Sequence, residues 1–132
     1  MNFNILKCLI FLNLGMKESD YLKQLYDKTE NDTKAWAIIK QIKRAEKQEA
    51  FELRYLPHFK SKFGKNVWYD EKGAYIIKVF NEELKKDILM DYYPKADKLL
   101  IRHQNKWIQN GINWIIRRYF RDVDFTEVFT FE

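Results

Sequence analysis

Glycine and proline are scarce in this chain, and their scarcity limits the folds that it can form. Only four Gly and two Pro occur in 132 residues, whereas β-sandwiches and barrels need such residues at many tight turns. Apolar residues make up 46% of the chain against 33% charged, which is enough for a packed core at a length typical of one domain. We therefore expect a single domain built from long elements.

Charge alternates in blocks along the chain. The formal net charge is +5, and the bases are concentrated in residues 34–65 and 98–121, between acidic stretches. If the two basic blocks share a face after folding, their field steers an anionic partner; if they lie on opposite faces, the charge is ordinary solvation. The single Cys8 excludes an internal disulfide and has no His at zinc spacing. A reducing compartment is expected, with no metal and no cofactor.

The first fifteen residues, Met1 to Gly15, are mostly apolar. Their apolar run of about ten residues is too short to cross a bilayer, and a secretory signal would need a basic start and a small-residue cleavage site. Two interpretations stay open: a buried strand or helix of the fold, or translation that begins at Met16. The predicted organisation is an apolar segment at 1–15, a single α+β domain at 16–121 and an acidic aromatic tail at 122–132.

Two helices are predicted in the first half of the chain. Apolar spacing favours a short helix over 19–28 and a longer one from a polar break at 29–32 to about Tyr55, since the residue before Pro57 resists helical geometry. The predicted inner stripe of the longer helix is Trp36, Ile39, Ile42, Glu46, Ala50 and Leu53, widened by Ile38 and Ala45. Its opposite side presents Lys34, Lys40, Lys43, Arg44 and Lys47.

The middle of the chain has the pattern of two β-hairpins. Residues 67–69 are expected to pair with 74–80 around a turn in which Gly73 can supply a positive φ. Residues 88–93 are expected to pair with 99–102 around a second turn that begins with proline.

A third helix is predicted over 106–121, because Ile108, Ile112, Ile115 and Tyr119 recur at helical spacing. The predicted fold class is therefore α+β: N-terminal helices, a small and mostly antiparallel sheet of two hairpins, and a basic C-terminal helix.

Between Asp97 and Asp122 the chain has no acidic residue and combines bases with aromatic rings. Arg presents a planar fork to phosphate or carboxylate, and Trp supplies a stacking face, so this segment is the predicted contact with a partner. The alternative is that its two Trp residues are core and its arginines merely solvated. The candidate binding residues are Arg102, Lys106, Trp107, Trp114, Arg117, Arg118 and Arg121, joined by Lys40, Lys43, Arg44 and Lys47 of the second helix.

Two other function classes are compatible with the sequence. Metal-dependent nucleases combine carboxylates that hold a cation with a lysine, and Asp70 followed by Glu83-Leu84-Lys85 satisfies that pattern, although here the tripeptide lies in a polar stretch instead of a buried strand. The second class is a structural subunit of a virion or complex, in which the tail from Phe125 to Phe131 adds a strand to a neighbouring sheet.

The chain has no phosphate-binding loop or nucleophile triad, is rich in Lys, Asn, Ile, Tyr and Phe, and contains segments such as Tyr92-Tyr93-Pro94-Lys95 and Asn105 to Gly111. In this general character it resembles small proteins encoded by phages and mobile elements, among them inhibitors of host defence such as anti-CRISPR proteins. The resemblance implies a non-enzymatic inhibitor in the cytoplasm of a bacterial host. Its partner would be an RNA-guided nuclease or another protein or ribonucleoprotein complex, or RNA or DNA directly. No membrane partner is expected, and the oligomeric state is left open.

Overall fold

The computed structural model describes residues 17–125, so the predictions for residues 1–15 and for the tail beyond Phe125 lie outside it. The helices in this range are α1 (Glu18–Asp27), α2 (Asp32–Arg54), α3 (Leu56–Phe63) and α4 (Gly111–Tyr119). The strands are β1 (Val67–Tyr69), β2 (Tyr75–Asn81), β3 (Lys86–Tyr93), β4 (Lys98–Ile101) and β5 (Lys106–Gln109). Short 3-10 turns occupy Gly64–Asn66 and Arg102–Gln104.

The five strands form one antiparallel sheet in the order β1-β2-β3-β4-β5. The predicted α+β fold with an antiparallel sheet is confirmed, and both predicted hairpins are present within the larger sheet. The β1–β2 turn is held by the Asp70 carboxylate, which accepts hydrogen bonds from the backbone N–H groups of Lys72 (2.7 Å) and Ala74 (3.0 Å). Such a side-chain acceptor fixes a turn without tertiary contacts, which explains why local sequence predicts it.

One face of the sheet carries the main core. Phe51 of α2, Phe59 of α3 and Ile115 of α4 pack over the inward side chains of the strands. The opposite face, called here the outer face, contains one row of cross-strand neighbours: Trp68, Ile76, Asp91, Leu100 and Trp107. Within that row Asp91 is only 6% exposed, and the guanidinium of Arg102 bonds it in a bidentate pair at 2.7–3.1 Å.

The inner stripe predicted for α2 is right in part: Ile38 and Ala45 are buried, and Ile42 packs against them. It is wrong at Trp36, Glu46, Ala50 and Leu53, which are exposed. Trp36 and Leu53 are 67% and 56% exposed, whereas Ile38, Ala45 and Phe51 are buried. The reason is that α2 turns polar side chains inward as hydrogen-bond acceptors: Glu49 accepts from the Ser19 hydroxyl (2.8 Å) and Glu52 from the Tyr75 hydroxyl (2.6 Å). The predicted stripe, chosen by the helical spacing of mostly apolar residues, omits both of these positions.

The long helix ends at Arg54 near its predicted end, but the chain then begins a further helix, α3, that the sequence did not predict. Pro57 lies in the first turn of α3. Proline is tolerated there because the N–H that it lacks has no intrahelical acceptor. Pro57 therefore marks the start of a helix whose Phe59 is fully buried in the core.

The third predicted helix, over 106–121, is also wrong in its first part, where the chain forms β5 and then α4. Asn105 and Asn110 flank β5 with φ of 48° and 53°, and left-handed residues interrupt a right-handed helix. Ile108 and Ile112 show helical spacing only because both face the core from consecutive elements. Trp107 and Trp114 consequently lie on different elements.

Candidate functional site

The arginine-bearing helix α4 is fixed to the sheet at its first residues by Asp97. The backbone N–H of Gly111 donates to the Asp97 carbonyl (3.0 Å), and that of Ile112 donates to Asp97 Oδ1 (2.9 Å). The same Oδ1 accepts from the Tyr92 hydroxyl (2.8 Å). A Cβ added at Gly111 would lie 2.9 Å from the Cβ of Leu99. The start of α4 thus touches β4 directly, and its first N–H groups are satisfied within the protein.

Burial raises the pKa of Tyr92 far above its ordinary value, and the hydrogen bond to the Asp97 carboxylate raises it further. Its hydroxyl is consequently a permanent donor at physiological pH. Because one carboxylate oxygen joins β3 to the first turn of α4, the direction of the helix is set by this contact.

A cleft of about 640 Å³ opens on the exposed side of α4; it is called here the arginine cleft. Its lining residues are Ile108, Gln109, Asn110, Asn113, Trp114, Arg117, Arg118 and Arg121. Ile115 turns into the core and is completely buried, so the remaining positions at three- and four-residue steps face outward together.

The guanidinium groups of the arginine cleft are held by two contacts. The guanidinium carbon of Arg118 lies 4.8 Å from the ring centroid of Trp114, a cation–π contact. Arg121 lies beyond the end of α4, yet its Nε–H donates to the Arg117 carbonyl at 2.8 Å. None of the three arginines forms an ion pair with an acid in residues 17–125, and no acidic residue of that range lines the cleft.

Tyr119 supports this side of the helix from beneath. It is half-buried against Phe63 and Trp114, with ring centroids 5.7 and 6.4 Å away. Burial raises the pKa of Tyr119, and the charge of Arg118 acts in the opposite sense. The ring is therefore neutral at physiological pH, and the positive field of the arginines is not offset there.

A second cavity, of about 590 Å³, lies between α2 and one end of the sheet; it is called here the α2 cavity. Arg44 of α2 and Trp107 of β5, both candidate binding residues, line it together with Tyr93 and Lys98. The two cavities adjoin through β4 and β5, because Lys98 lines the α2 cavity and its cross-strand partner Gln109 lines the arginine cleft.

The predicted binding residues therefore divide into separate groups. Trp114, Arg117, Arg118 and Arg121 come together in the arginine cleft, and Arg44 and Trp107 in the α2 cavity. Exposed residues that line neither cavity are Lys40, Lys43 and Lys47 on α2 and Lys106 at the start of β5. Arg102 is the bidentate partner of Asp91 on the outer face, and that bond raises the pKa of its guanidinium.

The alternative in which both Trp residues of the basic segment are core does not describe the structure. Trp107 is 51% exposed, and Trp114 is partly buried against the core with its ring available to Arg118. Sequence reasoning also missed residues that position the candidate site, among them Asp97, which caps α4 through a tertiary contact that no local pattern encodes. Asn110 and Asn113 of the cleft are three residues apart in the sequence. Their shared position on one side of α4 could have been predicted if the start of the helix had been placed correctly.

The residues of the nuclease hypothesis are far apart. Asp70 holds the β1–β2 turn, and Glu83 and Lys85 lie in the β2–β3 turn, at the opposite end of the seven-residue β2. A strand of that length separates the two turns by about 20 Å, too far for one cation to bridge. Within residues 17–125, no three His, Cys, Asp or Glu side chains cluster in a way that could hold a metal ion.

No known protein family matches the chain, and neither a curated protein nor a solved structure shows significant similarity to it. Among the helices that the structure describes, none has the length and apolar character needed to cross a membrane.

Proposed function

We propose that this protein binds a nucleic-acid strand, free or held within a ribonucleoprotein complex, through the arginine cleft. The observation that carries the proposal is the convergence of Arg117, Arg118 and Arg121 with Trp114 in one cleft that no described acid lines. Guanidinium groups pair with phosphate through two parallel hydrogen bonds. Clustered arginines therefore bind a phosphate backbone more tightly than they bind a neutral ligand.

The contacts within the cleft support binding by reducing its entropic cost. Stacking on Trp114 restricts the plane of the Arg118 guanidinium, and the bond to the Arg117 carbonyl restricts Arg121. Ordered side chains lose less freedom when a ligand arrives. The amides of Gln109, Asn110 and Asn113 supply additional donors and acceptors along the wall of the cleft.

A single strand fits this cleft better than a duplex. Proteins that bind single strands combine a basic groove with aromatic or guanidinium planes on which bases stack, and the Arg118–Trp114 pair offers such a plane. The N–H groups at the start of α4 already have acceptors in Asp97. Anion binding at this helix must therefore come from side chains at its other end.

The resemblance to inhibitors of RNA-guided nucleases gives this proposal a specific form. Occlusion of a guide or target strand by the arginine cleft would block such a nuclease without any catalytic step. That form stays a prediction from the sequence, and it depends on the same three arginines.

Fluorescence anisotropy of labelled single- and double-stranded RNA and DNA across a salt series tests the proposal. Three phosphate contacts give a slope of log affinity against log salt of about −2 for a single strand and somewhat steeper for a duplex. The variant Arg117→Gln/Arg118→Gln/Arg121→Gln should lose most binding and most of the slope.

The matched control is the variant Lys40→Gln/Lys43→Gln/Lys47→Gln, which removes the same charge from exposed sites that line neither cavity. It should bind nearly as well as the wild type. If both triple variants lose affinity equally, the binding reflects net charge and not the cleft. If wild-type protein binds none of the four probes at low salt, the proposal is wrong and an acidic protein surface becomes the partner to seek.

A further inference from the structure

The walls of the α2 cavity come from Glu18 of α1, Tyr69 of β1 and four further parts of the chain. Gln41, Arg44 and Gln48 project from one side of α2, and Glu71 to Gly73 belong to the β1–β2 turn. The β3–β4 turn contributes Lys95 and Ala96, and Tyr93, Lys98 and Trp107 come from β3, β4 and β5. A volume of about 590 Å³ lies within the range of small-molecule sites.

Four cations and two acids, Glu18 and Glu71, line this cavity, and three of the cations have no acid of residues 17–125 in ion-pair contact. Arg44, Lys72 and Lys98 line it, and none of them forms an ion pair within the described residues. A fourth cation, Lys95, is occupied: its Nζ lies 3.1 Å from a carboxylate oxygen of Glu18 and fixes the start of α1 to the β3–β4 turn. The lining therefore carries a positive excess that favours an anionic ligand.

Aromatic rings of the sheet line the cavity. The rings of Tyr93 and Trp107 lie with centroids 5.7 Å apart and planes tilted by 40°. Half of the Trp107 surface is exposed although the ring sits in a concave site. Burial and the charges of Asp91 and Asp70 raise the pKa of Tyr93, so its ring stays neutral and adds no negative charge.

Gln48 contributes a polar group that has no partner in the protein. Its Oε1 is buried and receives no hydrogen bond from any described residue, and an unsatisfied buried acceptor is unfavourable. The terminal torsion of a glutamine side chain is soft, so a small rotation can direct the amide oxygen or the amide nitrogen into the cavity. An amide edge of this kind matches the donors and acceptors of a nucleobase.

We propose that the α2 cavity binds a nucleoside phosphate. Its base would lie against Trp107 and Tyr93 with an edge toward Gln48, and its phosphate would be bound by Arg44, Lys72 and Lys98. The proposal does not depend on the arginine cleft, because the two cavities share no lining residue. The ligand is either a free nucleotide or the 5′-phosphorylated end of a strand, which present the same groups to the site.

Isothermal titration calorimetry with AMP, GMP, CMP, UMP and inorganic phosphate tests whether the ligand is a free nucleotide. A 5′-phosphorylated tetranucleotide and its dephosphorylated form test whether the ligand is the end of a strand. These titrations use the variant Arg117→Gln/Arg118→Gln/Arg121→Gln, so that the arginine cleft does not contribute. Binding of a mononucleotide identifies the free ligand. Binding of only the phosphorylated oligonucleotide identifies the strand end.

Substitutions locate the ligand. Trp107→Ala and Arg44→Gln should each lower affinity about tenfold or more, as expected for the loss of one stacking plane or one phosphate contact. The matched controls are Trp36→Ala, an exposed tryptophan of α2, and Lys43→Gln, the neighbour of Arg44 in sequence; neither lines the cavity, and both should bind normally.

Gln48→Met separates a binding role from a structural one. Replacing the unsatisfied amide with a thioether of similar shape should raise the midpoint of thermal unfolding while lowering nucleotide affinity. The proposal is overturned if no probe binds, if inorganic phosphate binds as tightly as every nucleotide, or if Trp107→Ala and Arg44→Gln bind as the wild type does. An unchanged affinity of Gln48→Met would remove the assigned base contact.

Discussion

Replacing Asp97 should release α4 from the sheet, and the size of the effect follows from its contacts. Asp97 Oδ1 accepts from the buried Tyr92 hydroxyl and from the backbone N–H of Ile112. Asp97 also has a left-handed backbone, with φ of 50°. Asp97→Ala removes both acceptor contacts and places alanine in a conformation that disfavours a Cβ.

Three terms add to the expected loss of stability for Asp97→Ala. A buried hydroxyl left without its partner costs about 1–3 kcal/mol, loss of a helix-capping acceptor about 1 kcal/mol, and a left-handed alanine about 1 kcal/mol. The free energy of unfolding should therefore fall by about 4 kcal/mol. Asp97→Asn keeps an oxygen acceptor and tolerates positive φ, and it should lose only about 1 kcal/mol through the missing charge at the helix start.

Urea denaturation of both variants and of Tyr92→Phe measures these differences. In the Tyr92→Phe background, Asp97→Ala should cost less than in the wild type, because no hydroxyl is left without a partner. Equal losses for Asp97→Ala and Asp97→Asn, within about 0.5 kcal/mol, would show that the shared acceptor does not anchor α4. The weakened anchor should also reduce binding at the arginine cleft, which the same anisotropy assay detects.

Arg102→Ala leaves the buried Asp91 without its bidentate partner and should lower the free energy of unfolding by about 2–4 kcal/mol. This loss is smaller than for a fully buried pair, because Arg102 is partly exposed. Urea denaturation should show that the double variant Asp91→Leu/Arg102→Ala recovers most of it. Gly111→Ala should destabilise by about 1–3 kcal/mol despite the better helix propensity of alanine, and a thermal midpoint at or above that of the wild type would mean that α4 moves freely away from Leu99. The free energy of unfolding should fall as pH rises above about 10, and Tyr92 should account for up to about 1.4 kcal/mol per pH unit. The reason is that Tyr92 ionises there in the unfolded chain, whereas its raised pKa keeps it protonated in the folded protein. Tyr92→Phe should make this pH dependence, measured by urea denaturation, less steep.

The parts of the fold that local chemistry determines were predictable from the sequence. The α+β class and both hairpins follow from alternating side chains and from turns whose own residues hold them, as Asp70 does. Ile38 and Ala45 of α2 were predicted to face inward and do. The inward position of Glu49 and Glu52 was not predictable, because these residues meet hydroxyl groups 30 and 23 residues away in the chain. The strand β5 is four residues long, too short for its periodicity to be distinguished from one turn of a helix.

The candidate site shows the same division between local and distant causes. Arg117, Arg118 and Trp114 were predicted as a group because helical spacing alone brings them together. Arg102 belongs to the same basic segment, but its role as partner of Asp91 depends on strand register. Arg44 and Trp107 meet in one cavity only because α2 passes the end of the sheet, which no pattern within either segment indicates.

The strand order of the sheet has a consequence for how the chain folds. Each strand pairs with the next in sequence through a short connection, with no crossover, so the sheet can form one hairpin at a time without closing a long loop. Contacts such as that between Glu18 and Lys95 span 77 residues and carry a greater entropic cost. We expect the sheet to be largely formed in the folding transition state and α1 to dock afterwards, so substitutions in α1 should mainly speed unfolding.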